Sequence, residues 1–399
     1  MALNSLTSVN DDKSKKTVIP LKNFSDYFFE NVATPIGGNQ LAANQLQITS
    51  ACDAKCAYCS NESNAFETLL TKFRDVKEIE KVLYATNFID GSIILNESLP
   101  GRISEGEALI HPKFFDILDL IRKKFRNPIA LTTSGSRFTP ETLERLAKYR
   151  PVEVTMSVPS TTREYWTHLF KLKDRHFDNA MNSFDLMKQH GIYYQVNMTP
   201  MPAYVGYDDV EKTIRFLSEK GVPHLQLYTP GYTHWTPPDM IEKMKFDKEE
   251  MSQFIRVMSY KYKMIINWPL DPNTFLSLGY GPILDQLKYF VRNNIDRTIW
   301  FTSTAAVDRF HRKILEFTRT IPHEVAVVEV KNYNYGGNIE CVGLWMIKDM
   351  EQTIEKLDLR GQHIVYPGGF LDKYGYDLNG DNILDFYSRN DRGNIFYQL

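Results

Sequence analysis

The chain has 399 residues, 43% hydrophobic, 24% charged and 13% aromatic, which is the composition of a folded globular protein and excludes global disorder and fibrous repeats. Lys plus Arg number 47 against 49 acids, so the formal charge of −2 gives no overall positive excess for nucleic acid backbones or anionic membranes. No apolar run reaches the roughly 18 residues of a membrane span, and the polar opening stretch lacks an apolar signal region, so a cytoplasmic protein with no membrane partner is expected.

Residues 1–40 read as an N-terminal arm of charges and turn formers, followed by an aromatic patch from Phe24 to Phe29. From Asn44 short strand-like runs alternate with amphipathic helical stretches. The runs are LQIT before Cys52, GRIS before Glu105, and residues 129–134, 152–158, 193–198 and 224–229. Phe114, Ile117, Leu118, Ile121 and Phe125 repeat with helical period. Thr139 and Pro140 form an N-cap and first-turn pair, Asp208 or Asp209 is a cap for a later helix, and Gly191 and Gly221 stand where the chain leaves helices. Six strand–helix units in series imply a parallel α/β sheet with right-handed crossovers, either open and doubly wound or a full or partial barrel. In both, chemistry gathers at the carboxyl ends of the strands, near which fall Cys52, Glu107, Ser134, Ser157, Asn197 and Tyr228.

Three of the four cysteines, Cys52, Cys56 and Cys59, lie within eight residues. A tight, odd-numbered group of thiols in a protein expected in a reducing compartment reads as a metal or cluster site rather than a disulfide framework. Thiolates are soft anionic ligands, and three on one short loop suit three irons of a cubane and leave the fourth open. A zinc site completed by a distant His or by Cys341 is the alternative, although no second Cys or His pair follows at zinc spacing.

The run Cys52-Asp-Ala-Lys-Cys56-Ala-Tyr58-Cys59 resembles the C-x3-C-x2-C motif of the radical S-adenosylmethionine (radical SAM) enzymes, including the aromatic residue before the last cysteine. The resemblance covers residues 41–265 and implies a partial (β/α)6 TIM-like barrel. It implies a 4Fe–4S cluster on Cys52, Cys56 and Cys59, with Tyr58 beside it. The open iron would chelate S-adenosylmethionine, and an electron donor such as flavodoxin or ferredoxin would drive reductive cleavage to a 5'-deoxyadenosyl radical. Ser104-Glu105-Gly106-Glu107 is similar to the family's Gly-Gly-Glu segment, with Glu105 replacing the first glycine, and implies a contact from Glu107 to the SAM ammonium. Thr133 and Ser134 stand at the family's Thr-Asn-Gly turn, and Ser157 at a position that meets the SAM ribose or carboxylate. Gln195 and Asn197 share one strand face, bonded either to a polar ligand or to neighbouring backbone. Arg163 is a candidate partner of the SAM carboxylate or a surface arginine.

Residues 266–297 read as a connecting helical segment and 298–399 as a smaller α+β domain, similar to an uncharacterised C-terminal domain of some bacterial radical SAM proteins. Asn332, Asn334 and Tyr335 are candidates to shape a substrate pocket there. Asp377, Asn379, Asp381 and Asp385 stand at calcium-loop spacing, but Asn382 and Ser388 occupy the positions that want Gly and a bidentate acid, so a turn-rich loop is the competing reading. Cys341, in an alternating apolar run, is a small buried hydrophobe or a hydrogen-atom donor. One cysteine outside the motif leaves no ligand set for an auxiliary cluster, and no cobalamin or phosphate-loop motif occurs. The expected activity is hydrogen-atom abstraction from a small polar or nucleoside-like substrate, given the residues Tyr204, Tyr207, Tyr228, Tyr232, His234 and Trp235 at the expected mouth. A base in DNA or RNA as substrate, or a non-catalytic protein with a structural metal, are the alternatives. The basic groups Lys13–Lys16 and Arg122–Arg126 lie away from the strand ends.

Overall fold

The computed structural model describes residues 17–18, 45–46, 48–49, 51–59, 66–67, 73–85, 91–95, 106–268, 280–304, 306–340, 342–371, 375–377, 379–390 and 392–398. Most of the N-terminal arm, Ser104, Glu105 and Cys341 fall outside them. Seven strands form one all-parallel sheet in chain order: β1 (Gln45–Leu46), β2 (Ile93–Leu95), β3 (Ile129–Thr133), β4 (Val152–Ser157), β5 (Tyr193–Met198), β6 (His224–Leu227) and β7 (Ile265–Asn267). The connections carry helices α1 (Val76–Ala85), α2 (Phe114–Lys124), α3 (Pro140–Leu146), α4 (Arg163–Phe170), α5 (Asp174–Gln189), α6 (Pro202–Val205), α7 (Tyr207–Glu219), α8 (Pro238–Met244) and α9 (Lys248–Tyr262). This is the expected partial barrel with a seventh strand at its edge. The second described strand is Ile93–Leu95, and GRIS, residues 101–104, lies outside the described residues.

Alternation within the strands decides which face is which. Val152, Val154 and Met156 of β4 and Tyr194, Val196 and Met198 of β5 are buried, while Glu153, Thr155, Ser157, Gln195 and Asn197 between them are half-buried. The apolar set packs against Ile117, Leu118 and Ile121 of α2, Phe184 and Met187 of α5, and Ile214 and Leu217 of α7. Each such side chain removed from water contributes on the order of 2 kcal/mol, so a slip of one residue in register would be strongly opposed. The opposite, polar face lines the barrel interior.

Helix starts and ends follow local chemistry. Thr139 caps α3 by accepting the Thr142 amide at 3.2 Å, with Pro140 in the first turn. Asp208 and Asp209 stand inside the first turn of α7, whose N-cap is Gly206. Asp209 is buried and accepts the Ser160 hydroxyl at 2.6 Å and that of Thr162, so it ties two connections together rather than capping. Arg122 is no free cation: its guanidinium donates to the carbonyls of Asn127, Tyr149 and Pro151 at 2.7–3.0 Å, clamping the end of α2 to the chain before β4.

The C-terminal region corrects the α+β expectation. Its strands β8 (Arg297–Ser303), β9 (Glu324–Val330), β10 (His363–Tyr366) and β11 (Ile395–Gln398) are all parallel, in the order β9-β8-β10-β11. Helices α10 (Tyr280–Arg292) and α11 (Val307–Thr318) precede and follow β8, and α12 (Ile347–Lys356) and α13 (Ile383–Arg389) flank β10 in sequence. Trp300 of β8 and Val365 of β10 pack with Leu287, Phe290 and Ile314 on one side, while Ile299, Phe301 and Ile364 pack with Met350, Ile354 and Phe386 on the other. Two cores on one sheet make a doubly wound α/β layer. The physical reason is that every strand-to-strand connection passes through a helix, which returns the chain in the same direction.

The carboxyl end of β9 leads into residues 332–338, which dock on the loop after β6. His234 donates its amide to the Tyr335 carbonyl at 2.9 Å, and the Asn338 amide donates to the Tyr232 carbonyl at 3.2 Å. The Asn338 side chain accepts the Tyr232 amide at 2.7 Å and donates to the Pro230 carbonyl at 2.8 Å, as an added strand would. Gly336 and Gly337, both at φ +63°, permit the approach: a Cβ on either would stand 2.0 Å from the His234 ring or the Tyr232 carbonyl oxygen.

Candidate active site at the strand ends

The cysteine loop follows β1 and is pinned by backbone. Ala57 and Lys55 donate their amides to the Leu169 and Phe170 carbonyls at 2.8 and 3.1 Å, so the loop satisfies the free carbonyls at the end of α4. Asp53 is held from the other side by Arg137, whose Nε and Nη2 both lie 2.7 Å from Oδ2. Cys52, Cys56 and Cys59 are reduced thiols, the first exposed and the others half-buried, and the Cys59 amide turns back to the Cys56 carbonyl at 3.0 Å. Tyr58 packs beside them, its ring 6.4 Å from that of Phe170.

Although Cys52 is exposed as a residue, desolvation around its sulfur pushes the thiol up to about 12, with the Glu107 charge adding to it, and burial with the neighbouring Cys59 and Cys52 raises the Cys56 thiol as well. Ionising Cys52 and Cys56 therefore calls for a cationic partner. Among the described residues no group of three or more His, Cys, Asp or Glu side chains is gathered closely enough to cage a single ion. Three thiols on one short loop fit a cluster whose separate irons would each take one sulfur.

Glu107, which follows the chain from β2, is buried and meets this loop directly, its amide donating to the Ala51 carbonyl at 2.9 Å. Its Oε2 accepts the Thr133 hydroxyl at 2.8 Å, the Ser134 amide at 3.1 Å and the Ser134 hydroxyl at 3.3 Å. Among the described residues its Oε1 accepts the Leu109 amide alone, at 3.3 Å, as the cap of a short helical turn. Burial raises this carboxyl to about 7 against the opposing pull of those donors.

Two polar rows cross the interior face. In the inner row Thr155, Gln195 and His224 are register neighbours on β4, β5 and β6, and they bond to one another. Gln195 donates to the Thr155 hydroxyl at 3.0 Å and accepts from His224 Nδ1 at 3.3 Å, while His224 Nε2 takes the Asn267 amide at 2.6 Å. The outer row, one pleat nearer the cysteine loop, is Ser157, Asn197, Gln226 and Asn267. Gln226 and Asn267 bond to each other at 3.5 Å. The side chains of Ser157 and Asn197 make no hydrogen bond among the described residues. The inner row is a closed floor, and the outer row keeps polar capacity for a ligand.

Other sequence candidates are placed elsewhere. Arg163 forks onto Asp178 at 2.6 and 3.2 Å and lies over the Phe177 ring, so its geometry joins α4 to α5 at the surface and leaves its fork engaged. Asn332 bonds to the Leu344 carbonyl, and Asn334 to the buried Asp349. Tyr335 is buried with Trp235 and Met346. These three build the docking loop instead of a pocket. Asp377 spends one oxygen on the Asn379 and Asp381 amides and the other on the Ile347 amide, so its loop is a turn that caps α12. Sequence reading missed Asp53–Arg137 and Asn338. Asp53, a charge inside the cysteine run, was the available signal for the first. Nothing local marked the second.

Residues 46–217 match the family model of the Radical SAM superfamily. Over 155 residues the chain is 28% identical to the antilisterial bacteriocin subtilosin biosynthesis protein AlbA of Bacillus subtilis, covering 39% of this chain and 32% of that protein. Over 171 residues it is 25% identical to the radical SAM cyclopropyl synthase TigE of Paramaledivibacter caminithermalis, covering 40% and 35%. Among solved structures, Streptococcus suis SuiB bound to S-adenosylmethionine aligns with a TM-score of 0.42 and 14% identity over 56% of this chain and 50% of that one. The chain thus spans about a third of the length of these two curated relatives. The matched segment, residues 46–217, is similar to the Radical SAM superfamily, whose members are enzymes that use a 4Fe–4S cluster and S-adenosylmethionine. No helix among the described residues is long and apolar enough to cross a membrane.

Proposed function

We propose that the chain is a radical SAM enzyme in which Cys52, Cys56 and Cys59 hold the cluster and the barrel interior receives S-adenosylmethionine and an organic substrate. The observation that carries this reading is the meeting of three reduced thiols and a buried carboxylate at one end of one sheet, inside the matched segment. When bound, cluster and cosubstrate would supply reductive cleavage and a hydrogen-abstracting radical. The chain's own part is to position. Glu107 Oε1, with a single amide donor among the described residues, is the acceptor for the ammonium group. Ser134 holds the Glu107 carboxylate in place, Ser157 and Asn197 offer the unspent polar groups of the outer row, and Tyr58 packs beside the cluster. Arg163 is assigned to bracing α4, the helix that carries the cysteine loop.

A small polar or nucleoside-like substrate is supported by the polar outer row above a closed floor. A peptide substrate is the second reading, supported by the identity with a protein of bacteriocin biosynthesis. The reductant would be a flavodoxin or ferredoxin. Incubating the anaerobic, reduced protein with S-adenosylmethionine tests the central claim, with 5'-deoxyadenosine and methionine as expected products. Stoichiometric zinc and no cleavage would leave a structural metal protein instead. Arg122 is consumed by carbonyls, so little nucleic acid affinity is expected. Submicromolar, salt-sensitive binding in an anisotropy titration would promote a DNA or RNA substrate.

A further inference from the structure

Among the described residues β9 (Glu324–Val330) pairs with β8 along its whole length and with nothing on its other side. The Glu324 amide donates to the Asp296 carbonyl at 2.9 Å, so Glu324, Ala326, Val328 and Val330 turn their backbone groups toward β8. Alternation turns the N–H and C=O groups of Val325, Val327 and Glu329 outward, where none has a partner among the described residues. Thr298 to Ser303 of β8 are all buried, whereas Val325 to Glu329 are half-buried, which places this edge at the surface. Sheet edges are protected by prolines, lysines, bulges or shortness. β9 has seven residues and none of them is Pro, Gly or Lys, while the other edge strand, β11, has four. Its two acids are drawn back to β8, Glu324 by an ion pair with Arg297 at 3.3 Å and Glu329 by the Thr304 hydroxyl. The edge itself is an apolar Val-Ala-Val-Val run with unspent hydrogen-bonding groups.

We propose that the β9 edge joins a second copy of this chain, strand to strand, about a two-fold axis normal to the sheet and passing through Val327. Such an axis pairs the strands antiparallel and keeps each side chain on its own face, so opposed positions are both odd or both even. Centred on Val327, the register opposes Val325 to Glu329 of the partner subunit, Val327 to Val327 of the partner subunit and Glu329 to Val325 of the partner subunit, each pair exchanging two hydrogen bonds. Moving the centre by one residue either way leaves an outward group opposite a position beyond the end of β9. Between these pairs Ala326 meets the partner's Val328 and Glu324 the partner's Val330, so no like charges face each other. The occupant is a second copy because each copy already holds the complementary strand extended against its own β8, and no disordered segment must be ordered on binding. The two sheets become continuous, with the docking loops at opposite ends of the joined strands. The proposal is independent of the cluster assignment, since no residue of the barrel takes part.

Analytical ultracentrifugation of the anaerobically purified full-length protein, at low and high micromolar concentration, tests it, with the mass of two chains expected at the higher. Hydrogen exchange on the same samples should show the Val325, Val327 and Glu329 amides protected in the dimer and exchanging in the dilute monomer. Val327→Pro removes only an outward N–H, leaves the β8 ladder intact and should give a folded monomer. Val327→Lys and Val327→Glu, each folded by circular dichroism, set like charges across the axis and should each weaken self-association by about tenfold or more, while a mixture of the two recovers the dimer. A wild type that sediments as one chain at the higher concentration, a dimer whose three amides exchange as fast as in the monomer, folded variants that associate as tightly as wild type, or a mixture that stays monomeric would each overturn the proposal. If none of the variants folds, the exchange measurement on wild type decides alone.

Discussion

The Thr133 hydroxyl donates to the Glu107 carboxylate at 2.8 Å, joining the chain after β2 to the end of β3. With the two Ser134 donors on the same oxygen, this pair makes Glu107 a brace of the strand ends as well as a candidate ligand contact. The two roles separate by oxygen, Oε2 for the brace and Oε1 for the ligand.

Glu107→Ala strands the Thr133 and Ser134 donors in a buried place, and a stability loss of about 2 kcal/mol is expected in denaturant titration. Affinity for S-adenosylmethionine should fall by more than about tenfold, the usual effect of losing a charged contact in an enclosed site. A destabilised variant whose equilibrium dialysis shows unchanged affinity would assign Glu107 to the brace alone.

Cluster content is the most direct test of the thiols. Protein purified without oxygen should carry about four irons and four sulfides per chain. Alanine at Cys52, Cys56 or Cys59 should abolish both, while alanine at Cys341 leaves them unchanged. Full iron in any of the three motif variants would remove that residue from the ligand set.

Gln195 and Asn197 stand two residues apart on one face yet should behave oppositely. Gln195→Ala breaks the floor and is expected to cost about 1 kcal/mol of stability with little change in ligand binding. Asn197→Ala should change stability by less than about 0.5 kcal/mol and weaken S-adenosylmethionine or substrate. Thermal melts with and without S-adenosylmethionine distinguish the two patterns.

Gly337 and Gly361 share nearly the same positive φ, +63° and +62°, in different surroundings. Gly361→Ala meets nothing within 4 Å and should cost only the backbone term, about 1 kcal/mol. Gly337→Ala would place a Cβ 2.0 Å from the Tyr232 carbonyl oxygen, so the docking loop must lift. Faster cleavage between residues 332 and 338 in limited proteolysis is expected for Gly337→Ala alone.

Burial raises the Asp377 carboxyl to about 6, against the pull of the Ile347 and Asp381 amides. An acid raised on folding favours the folded state below its ordinary value and loses that contribution as pH climbs through the folded value. Between pH 4 and 7 the wild type should lose stability relative to Asp377→Asn, by up to roughly 3 kcal/mol. Parallel pH profiles of the two proteins measure the difference, and a flat difference would mean that Asp377 is not raised.

Elements built from local pattern are legible in the sequence. Ile117, Leu118 and Ile121 announce the buried stripe of α2, and Cys52, Cys56 and Cys59 announce the site, because spacing along one short segment carries both. Ile93–Leu95 was not found, since three apolar residues give no period to read. The parallel C-terminal sheet was misread as α+β because pairing partners such as Trp300 and Val365 are set by helical crossovers and not by neighbours in sequence. Gln195 could be put on a face, but its partner His224 lies on another strand and only register brings them together.

The anchoring of the cysteine loop fixes an order of events during synthesis. Cys52, Cys56 and Cys59 leave the ribosome early, but Asp53 meets its arginine only 84 positions later, and the carbonyls that hold Lys55 and Ala57 belong to Leu169 and Phe170. A nascent chain that ends before Phe170 carries all three thiols without the frame that orients them. If these three thiols hold the proposed cluster, delivery of iron and sulfide to a stable site would follow translation of the first half of the barrel, and arrested chains with residues up to Phe170 withheld or exposed should differ in whether they retain a cluster.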